Sequence, residues 1–214
     1  MTNFKGPRPS LITFDIFGTV LNWRAGLSDA CAKAGRPLQP GEFDRVVDLQ
    51  GELERESFRK YSEITKLSLT RGLGLPEAEA ARIGEGVGDW PFYEDSAAAL
   101  RALMKKAPCA AMTNSDLAHG TRIQERLGFG LSAWLCAEQA RVYKPDPGFW
   151  RLMAELRGVE PGPAWWHVSA YADYDLGVAG ALGLTTVFVE RPHARPGPAS
   201  HKVPDLAALA ALLA

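Results

Sequence analysis

The chain has 214 residues, of which 46% are hydrophobic and 23% are charged, and its formal net charge is −1. This is the composition of an ordinary globular protein, and the near-neutral charge offers no electrostatic basis for binding nucleic acid. No apolar run of about 18 residues predicts a membrane span, and the first ten residues lack a signal-peptide core. With three widely spaced cysteines that form no metal-ligand pattern, these features favour a cytoplasmic protein.

The first predicted strand ends in a carboxylate. The apolar run Leu11–Phe14 is followed by Asp15 and then by a turn through Gly18 and Thr19. A strand that is apolar throughout is typical of a parallel sheet, and open parallel sheets bind their ligands at the carboxyl ends of the strands. Asp15 therefore has two readings, a chemical group in such a site or a simple turn cap.

A helical pattern occupies residues 22–93. Its central helix, predicted over 41–69, has apolar residues near helical spacing on one face. Charged residues such as Glu54 and Arg55 fill the opposite face, which predicts a solvated helix surface. Two shorter helices are predicted, at 26–34 and 77–87.

From residue 94 onward, strand and helix patterns alternate. Alternation of this kind predicts an α/β fold with a doubly wound parallel sheet. A Pro/Gly-rich stretch over 192–204 is predicted to be a loop. The predicted strands cover 109–112, 133–136, 165–168 and 185–189, and the predicted helices cover 95–106, 116–127, 147–156, 175–182 and 205–213.

Three further groups of polar residues follow predicted strands or turns. Lys144 lies between Tyr143 and a proline, in a turn. Carboxyl ends of parallel strands share one edge of a sheet, so these groups are expected to converge with Asp15. The first group, Thr113, Asn114 and Ser115, follows the second predicted strand. The second group is Lys144 alone, and the third, Ser169 and Asp175, follows the fourth predicted strand.

This order of motifs resembles the haloacid dehalogenase superfamily of hydrolases, over roughly residues 10–21 and 95–190. The resemblance implies a Rossmann-like core domain formed by residues 1–21 and 94–214. It also implies a helical cap domain formed by residues 22–93. A cap over the sheet edge excludes water from the chemistry and supplies substrate contacts.

The resemblance also implies a mechanism in which Asp15 is the nucleophile and forms an ester that water then hydrolyses. An ionised carboxylate that is held in line and partly desolvated is a competent nucleophile. Lys144 is its cationic partner and favours the ionised form. Asp175 is the carboxylate of the last motif. The hydrogen-bonding groups expected to orient Asp15 or to hold a departing anion are Thr19, Thr113, Asn114 and Ser115. Ser169 and Asp175 are expected to fix Lys144 and to position a water molecule.

The residue two positions after Asp15 separates two subclasses of the superfamily. Phosphatases usually have a second Asp there, which protonates the leaving alcohol, whereas this chain has Phe17. A halide leaves without a proton, and an aromatic residue at this position is what the 2-haloacid dehalogenases show. The resemblance is therefore closest to that branch, with a small 2-haloalkanoic acid as the substrate. Simple core packing is the other reading of Phe17.

Three positions depart from the dehalogenase pattern. The cap arginine that grips the substrate carboxylate is missing from residues 47–50, and Arg45 or Arg55 is a candidate replacement. Trp150 occupies the segment where a tyrosine is usual, and Tyr171 lies in the altered last motif. Both aromatic residues are taken as substrate contacts.

The expectation for cofactors is that none is needed. Phosphatases of the superfamily bind Mg²⁺ through carboxylate oxygens, and Asp173 and Asp175 do not have the spacing that is usual there. Two alternatives stay open, namely a Mg²⁺-dependent phosphatase acting on a small phosphorylated metabolite and a non-catalytic ligand-binding member. The expected partner is a small organic acid, and a homodimer is an open alternative.

Overall fold

The computed structural model describes residues 7–213. Residues 1–6 and 214 of the predicted core domain lie outside the described residues, as does most of the segment examined for a signal peptide.

The centre of the molecule is a six-stranded parallel sheet. The prediction of a doubly wound parallel sheet is confirmed. The strands are β1 (Leu11–Phe14), β2 (Cys109–Thr113), β3 (Ala133–Cys136), β4 (Trp165–Ser169), β5 (Thr185–Val189) and β6 (His201–Val203), in the order β3-β2-β1-β4-β5-β6.

The chain reverses direction across the sheet at β1. It passes from β1 to β2 and β3 on one side and then returns to β4 on the other side of β1. Thr13 of β1 is thus paired with Ala110 of β2 and with His167 of β4. A reversal of this kind opens a crevice at the carboxyl ends of the strands that flank it. The segments after β1, β2 and β4 consequently meet at one edge.

Ten α-helices flank or follow these strands among the described residues. Four of them lie between β1 and the next core helix, and a 3₁₀ turn over Gly86–Asp89 ends that series. The first four are α1 (Trp23–Lys33), α2 (Glu42–Glu54), α3 (Tyr61–Leu73) and α4 (Glu77–Glu85). The others are α5 (Ser96–Met104), α6 (Leu117–Leu127), α7 (Ala137–Ala140), α8 (Pro147–Arg157), α9 (Gly177–Ala181) and α10 (Leu206–Leu212).

The long helix predicted over 41–69 is in fact two helices, α2 and α3. The reason is a contact that is distant in sequence. The carboxylate of Asp116, in the turn after β2, accepts hydrogen bonds from the backbone N–H groups of Tyr61 (2.7 Å) and Ser62 (3.0 Å). These N–H groups have no partner within the helix, and Lys60 at the N-cap supplies no oxygen for them. Asp116 therefore fixes where α3 begins and ties it to the sheet.

Two elements in the second half of the chain differ from the sequence prediction. The predicted loop over 192–204 contains β6, a three-residue edge strand too short and too polar to give a strand pattern. The segment predicted as one helix from Asp175 begins with a π-helical turn at Ala172–Leu176, which precedes α9. Such turns often occur at functional sites.

The core is continuous beneath and beside the sheet. Strand β4 is buried along its whole length, and the rings of Trp165 and Trp166 are among the largest buried side chains. A strand buried on both faces explains the uninterrupted apolar run seen in the sequence. Within residues 7–213, no helix combines the length and the apolar character needed to cross a bilayer.

We predict that Asp116→Ala destabilises the fold, because it leaves the first N–H groups of α3 without a partner. The expected cost is about 2 kcal/mol, which lowers the Tm of a chain of this size by about 4–8 °C. Thermal unfolding followed by circular dichroism measures the change. The control is Asp29→Ala, which removes only an exposed ion pair with Lys33. Equal stability of the two variants would contradict the assigned role of Asp116.

Candidate active site

Asp15 lies directly after β1 and is almost completely buried, with 3% of its surface exposed. Its Oδ2 accepts a hydrogen bond from the Thr19 hydroxyl at 2.7 Å. The turn between them depends on Gly18, whose φ is +93° and whose Cβ, if present, would lie 2.6 Å from the ring of Tyr171. Only glycine combines this backbone angle with so close an approach. The turn thereby brings the buried Thr19 hydroxyl against Asp15, whose side chain lines the crevice.

Lys144 joins the two buried carboxylates that the sequence had predicted to converge. Its Nζ lies 3.1 Å from Asp15 Oδ1 and 2.8 Å from Asp175 Oδ2, and neither Lys144 nor Asp175 has any exposed surface. Asn114 braces the backbone of Lys144, since its side-chain amide donates to the Lys144 carbonyl (3.0 Å) and accepts from the Lys144 N–H (2.8 Å). The expected convergence of these segments is therefore present in the structure.

The charges in this cluster are unequally stabilised. Burial by itself lowers the pKa of Lys144, but attraction from Asp15 and Asp175 outweighs it, and the pKa is raised. Burial also raises the pKa of Asp15, and Lys144 offsets this only in part. For Asp175 burial is outweighed by Lys144 and His167, which together lower its pKa. Asp175 thus holds its negative charge more firmly than Asp15 does.

A buried histidine lies on the far side of Asp175. His167 Nε2 is 3.1 Å from Asp175 Oδ1, although the two atoms are not aligned for a hydrogen bond. His167 Nδ1 is 2.8 Å from the Thr13 hydroxyl, which also accepts a hydrogen bond from the indole of Trp165. Residues of β1 and β4 therefore support the cluster from inside the sheet.

A cleft of about 690 Å³ lies between the sheet edge and helices α2 and α3. The sheet side contributes Asp15, Lys144 and Asn114. The helical side contributes Tyr61 and the end of α2. Phe17 lines the cleft while packing against Tyr61 (ring centroids 5.9 Å apart) and Trp90 (6.3 Å), so it is both cleft wall and core.

The end of α2 is only in part the predicted solvated surface, since Arg55 is exposed while Glu54 is partly buried. Glu54 and Arg55 both line the cleft, and Asn114 Nδ2 lies 3.2 Å from Glu54 Oε2. Arg45, the other candidate replacement for the cap arginine, donates instead to the carbonyl of Gly72. Arg195 reaches the cleft from the loop after β5 but is paired with Asp48 at 2.7 Å. Of the two arginines lining the cleft, only Arg55 has no ion-pair partner among the described residues.

Six of the predicted site residues do not line the cleft, namely Thr19, Thr113, Ser115, Trp150, Ser169 and Asp175. Thr19 and Asp175 are buried and contact Asp15 and Lys144, respectively. Trp150 is completely buried and packs on His167, with ring centroids 5.6 Å apart, so it is not a substrate contact. Thr113 and Ser115 are buried and bonded to each other, which leaves neither facing Asp15 or a departing anion. The Ser169 hydroxyl accepts from the N–H of Tyr171 rather than fixing Lys144. Burial and these contacts leave none of the other four side chains in the lining of the cleft.

Tyr171 is a cleft residue, as predicted, and several others were not predicted. The Tyr171 hydroxyl is buried without a hydrogen-bond partner among the described residues. Tyr61 and Tyr174 gave no sequence signal for the cleft, because their orientation depends on how the helices dock. Glu54 lies one turn after the buried Gln50, and that spacing is the one signal that placed it on the inner side.

The described residues contain no group of three or more His, Cys, Asp or Glu side chains arranged to hold a metal ion. The acidic residues of the cluster are instead occupied by Lys144 and His167. The geometry is therefore that of a carboxylate held by an ammonium group at the base of a cleft.

A family model and a relative of known class both point to the same family of hydrolases. A family model described as haloacid dehalogenase-like hydrolase matches residues 9–166. The (S)-2-haloacid dehalogenase 4A of Burkholderia cepacia is 31% identical over 217 residues, which cover 94% of this chain and 93% of that protein.

Solved structures agree in fold. The L-2-haloacid dehalogenase PA0810 matches with a TM-score of 0.81 and 28% identity, covering 98% of this chain and 100% of that one. The defluorinating L-2-haloacid dehalogenase Rha0230 matches with a TM-score of 0.82 and 22% identity over 99% of both chains. Since the family model covers most of the chain and the Burkholderia relative nearly all of it, this protein belongs to the haloacid dehalogenase-like hydrolases.

Proposed function

We propose that this hydrolase cleaves the carbon–halogen bond of a small 2-haloalkanoic acid through an ester formed on Asp15. The observation that carries the proposal is the placement of Asp15, which is buried, bonded to Thr19 and Lys144, and open to an enclosed cleft. Phe17 favours a halide over a phosphate ester, because a halide leaves without a proton. The names of the Burkholderia relative and of PA0810 support the same class of substrate.

In the first step, a carboxylate oxygen of Asp15 attacks carbon 2 of the substrate. The carbon–halogen bond breaks and its electron pair leaves with the halide, so the step needs no proton donor. Thr19 and Lys144 hold the carboxylate in one orientation, which keeps the reacting atoms in line. The product of this step is a neutral ester of Asp15, and Lys144 then compensates mainly the charge of Asp175.

In the second step, water adds to the carboxyl carbon of the ester. The bond between that carbon and the alkoxy oxygen breaks, which releases a 2-hydroxy acid and regenerates the Asp15 carboxylate. Asp175 remains ionised, and we propose that it accepts the first proton that water loses and returns it to the alkoxy oxygen as that oxygen departs. The second proton of the water leaves the Asp15 carboxyl group for the solvent, which restores the carboxylate. Lys144 lies beside the carbonyl oxygen on which negative charge develops.

We also propose that residues 22–93 act as a cap on the core domain. Helices α2 and α3 close the cleft opposite Asp15, and the two N–H groups held by Asp116 anchor them to the sheet. Exclusion of water from the cleft strengthens the electrostatic interactions within it. The boundaries agree with the positions of the helices between β1 and α5.

Binding of the substrate carboxylate is assigned to Arg55 on the cap side and to the unpartnered hydroxyl of Tyr171 on the core side. A guanidinium group forms charge-assisted hydrogen bonds with a carboxylate. Arg55 is free to do so, whereas Arg195 is engaged by Asp48.

The central test is Asp15→Asn, which keeps the size of the side chain but removes the nucleophile. Halide release from 2-chloropropionate and phosphate release from phosphate esters, each with and without Mg²⁺, are measured on the wild type and the variant. We expect release from the haloacid by the wild type and a loss of at least about a thousandfold in the variant. Asp29→Asn, an exposed site, is the control. Phosphate release that depends on Mg²⁺, with no halide release, would overturn the proposal.

The pH dependence of the reaction follows from the burial of Asp15. Because Asp15 must be ionised to attack and its pKa is raised above the ordinary value of 3.8, kcat/KM should fall as the pH decreases through that higher pKa. We therefore expect the acid limb of the profile above pH 3.8. A haloacid whose own carboxyl ionises at lower pH is used as the substrate. An acid limb at or below 3.8 contradicts the electrostatic description of the cluster.

Arg55→Ala should raise KM for a haloacid while changing kcat much less, because the interaction with the carboxylate is made in both the ground state and the transition state. Loss of a hydrogen bond to a charged group predicts an increase of about tenfold or more. Steady-state kinetics give both parameters. The control is Arg82→Ala, an exposed arginine of α4 that pairs with Glu79. An unchanged KM would remove Arg55 from the site.

A further inference from the structure

One titratable group in the cleft has no part in the chemistry described so far. Glu54 is the last residue of α2 and lines the cleft opposite the sheet edge. Its Oε2 accepts a hydrogen bond from Asn114 Nδ2 at 3.2 Å. Its other oxygen, Oε1, makes no hydrogen bond to the described part of the chain. No Lys or Arg among the described residues forms an ion pair with it, although Arg55 is its neighbour in sequence.

The surroundings of Glu54 favour its uncharged form. Burial raises the pKa of Glu54 to about 8, in spite of the hydrogen bond from Asn114 and the positive charges of Lys144 and Arg55. Below that value the carboxyl group carries a proton. Because Oε2 already accepts from Asn114, the proton belongs on Oε1, where it becomes a hydrogen-bond donor within the cleft.

The other ionisable groups around Glu54 keep their charge state near neutral pH. Tyr61 on α3, Tyr143 beside Lys144 and Tyr174 in the π-helical turn have raised pKa values, chiefly because they are buried, and they stay neutral. Lys144 has a raised pKa and stays charged. Arg55 on the same helix is cationic throughout. Glu54 is therefore the group facing this part of the cleft whose charge changes near pH 8.

The state of Glu54 matters because the proposed substrate is an anion. Four further carboxylates, Asp48, Glu52, Asp146 and Asp173, line the same cleft, and Arg195 compensates only part of their charge. An ionised Glu54 would repel a substrate carboxylate at short range. A neutral Glu54 would instead attract it, since a carboxylic acid donates a strong hydrogen bond to a carboxylate.

We propose that Glu54 binds the substrate as a neutral carboxylic acid, with the hydroxyl on Oε1 donating a hydrogen bond to the substrate carboxylate beside Arg55. This inference rests on the proposed function, since it names a specificity-determining residue of that same site. The carboxylic acid of Glu54 and the guanidinium group of Arg55 together replace the single cap arginine of the 2-haloacid dehalogenases. The arrangement selects anionic substrates only while the proton is present on Glu54.

Binding and protonation are linked in this arrangement. If only the protonated form of Glu54 accepts the anion, the affinity for a carboxylate falls by about tenfold for each pH unit above 8. The anion in turn increases the proton affinity of Glu54 by the same coupling. Titration of Asp15 does not produce this effect, because Asp15 loses its negative charge at low pH and keeps it at high pH.

The test uses propionate, which has no leaving group, and measures its dissociation constant by calorimetry at about pH 7 and pH 9.5. For the wild type we expect binding at least about tenfold weaker at the higher pH. Glu54→Gln keeps an N–H donor in place of the hydroxyl, so its affinity should be independent of pH and within about threefold of the wild type at pH 7. Glu54→Ala should bind about tenfold more weakly at pH 7. Glu56→Gln, an exposed site beyond the end of α2, should behave as the wild type does.

The inference is overturned if the wild-type affinity does not change between the two pH values, or if Glu54→Gln keeps the wild-type pH dependence. Carbon-13 NMR of labelled glutamate side chains gives a second readout, with a titration midpoint near 8 that is absent from Glu54→Gln. Halide release by the wild type, measured separately, keeps the two proposals apart. Propionate binding with the expected pH dependence but without halide release would retain the role of Glu54 and remove dehalogenation.

Discussion

The structure depends on one ammonium group shared by two buried carboxylates. Lys144 reaches Asp15 and Asp175 at 3.1 and 2.8 Å with none of its surface exposed. Removing three charges from water is costly, and only close pairing with good hydrogen bonds compensates for that cost. The cluster is therefore weak evidence for stability, and its cost is consistent with the catalytic role proposed for Asp15. Its members come from segments far apart in sequence, so the fold must be complete before they meet.

The topology of the sheet explains why these segments meet. Reversal of the chain at β1 brings the ends of β1, β2 and β4 side by side. Asn114 then fixes the backbone of Lys144 through two hydrogen bonds, and it also reaches Glu54 on the inserted helices. A single side chain thus connects the charged cluster to the opposite wall of the cleft. The proposed chemistry and the proposed recognition of the substrate share this support.

The sequence predicted the sheet and the convergence of the three charged residues well because both depend on local patterns. The bounds of β3 and β5 agree with the predicted strands, and Asp15, Lys144 and Asp175 converge as their strand-end positions indicated. What escaped prediction depends on contacts distant in sequence. The break between α2 and α3 is set by Asp116, and Glu54 turns inward only because those helices dock on the sheet. Trp150 was wrongly taken as a substrate contact, since its side chain packs beneath the sheet edge.

The short segment from Asn114 to Asp116 has a consequence for how this protein can evolve. Asn114 supports Lys144, and Asp116, two residues later, begins α3 across the cleft. A substitution that shifts this segment would displace both Lys144, the partner of the proposed nucleophile, and the start of α3. Selection for a new substrate is thus expected to spare these positions and to act on the rim of the cleft, where a side chain can be exchanged without disturbing these contacts.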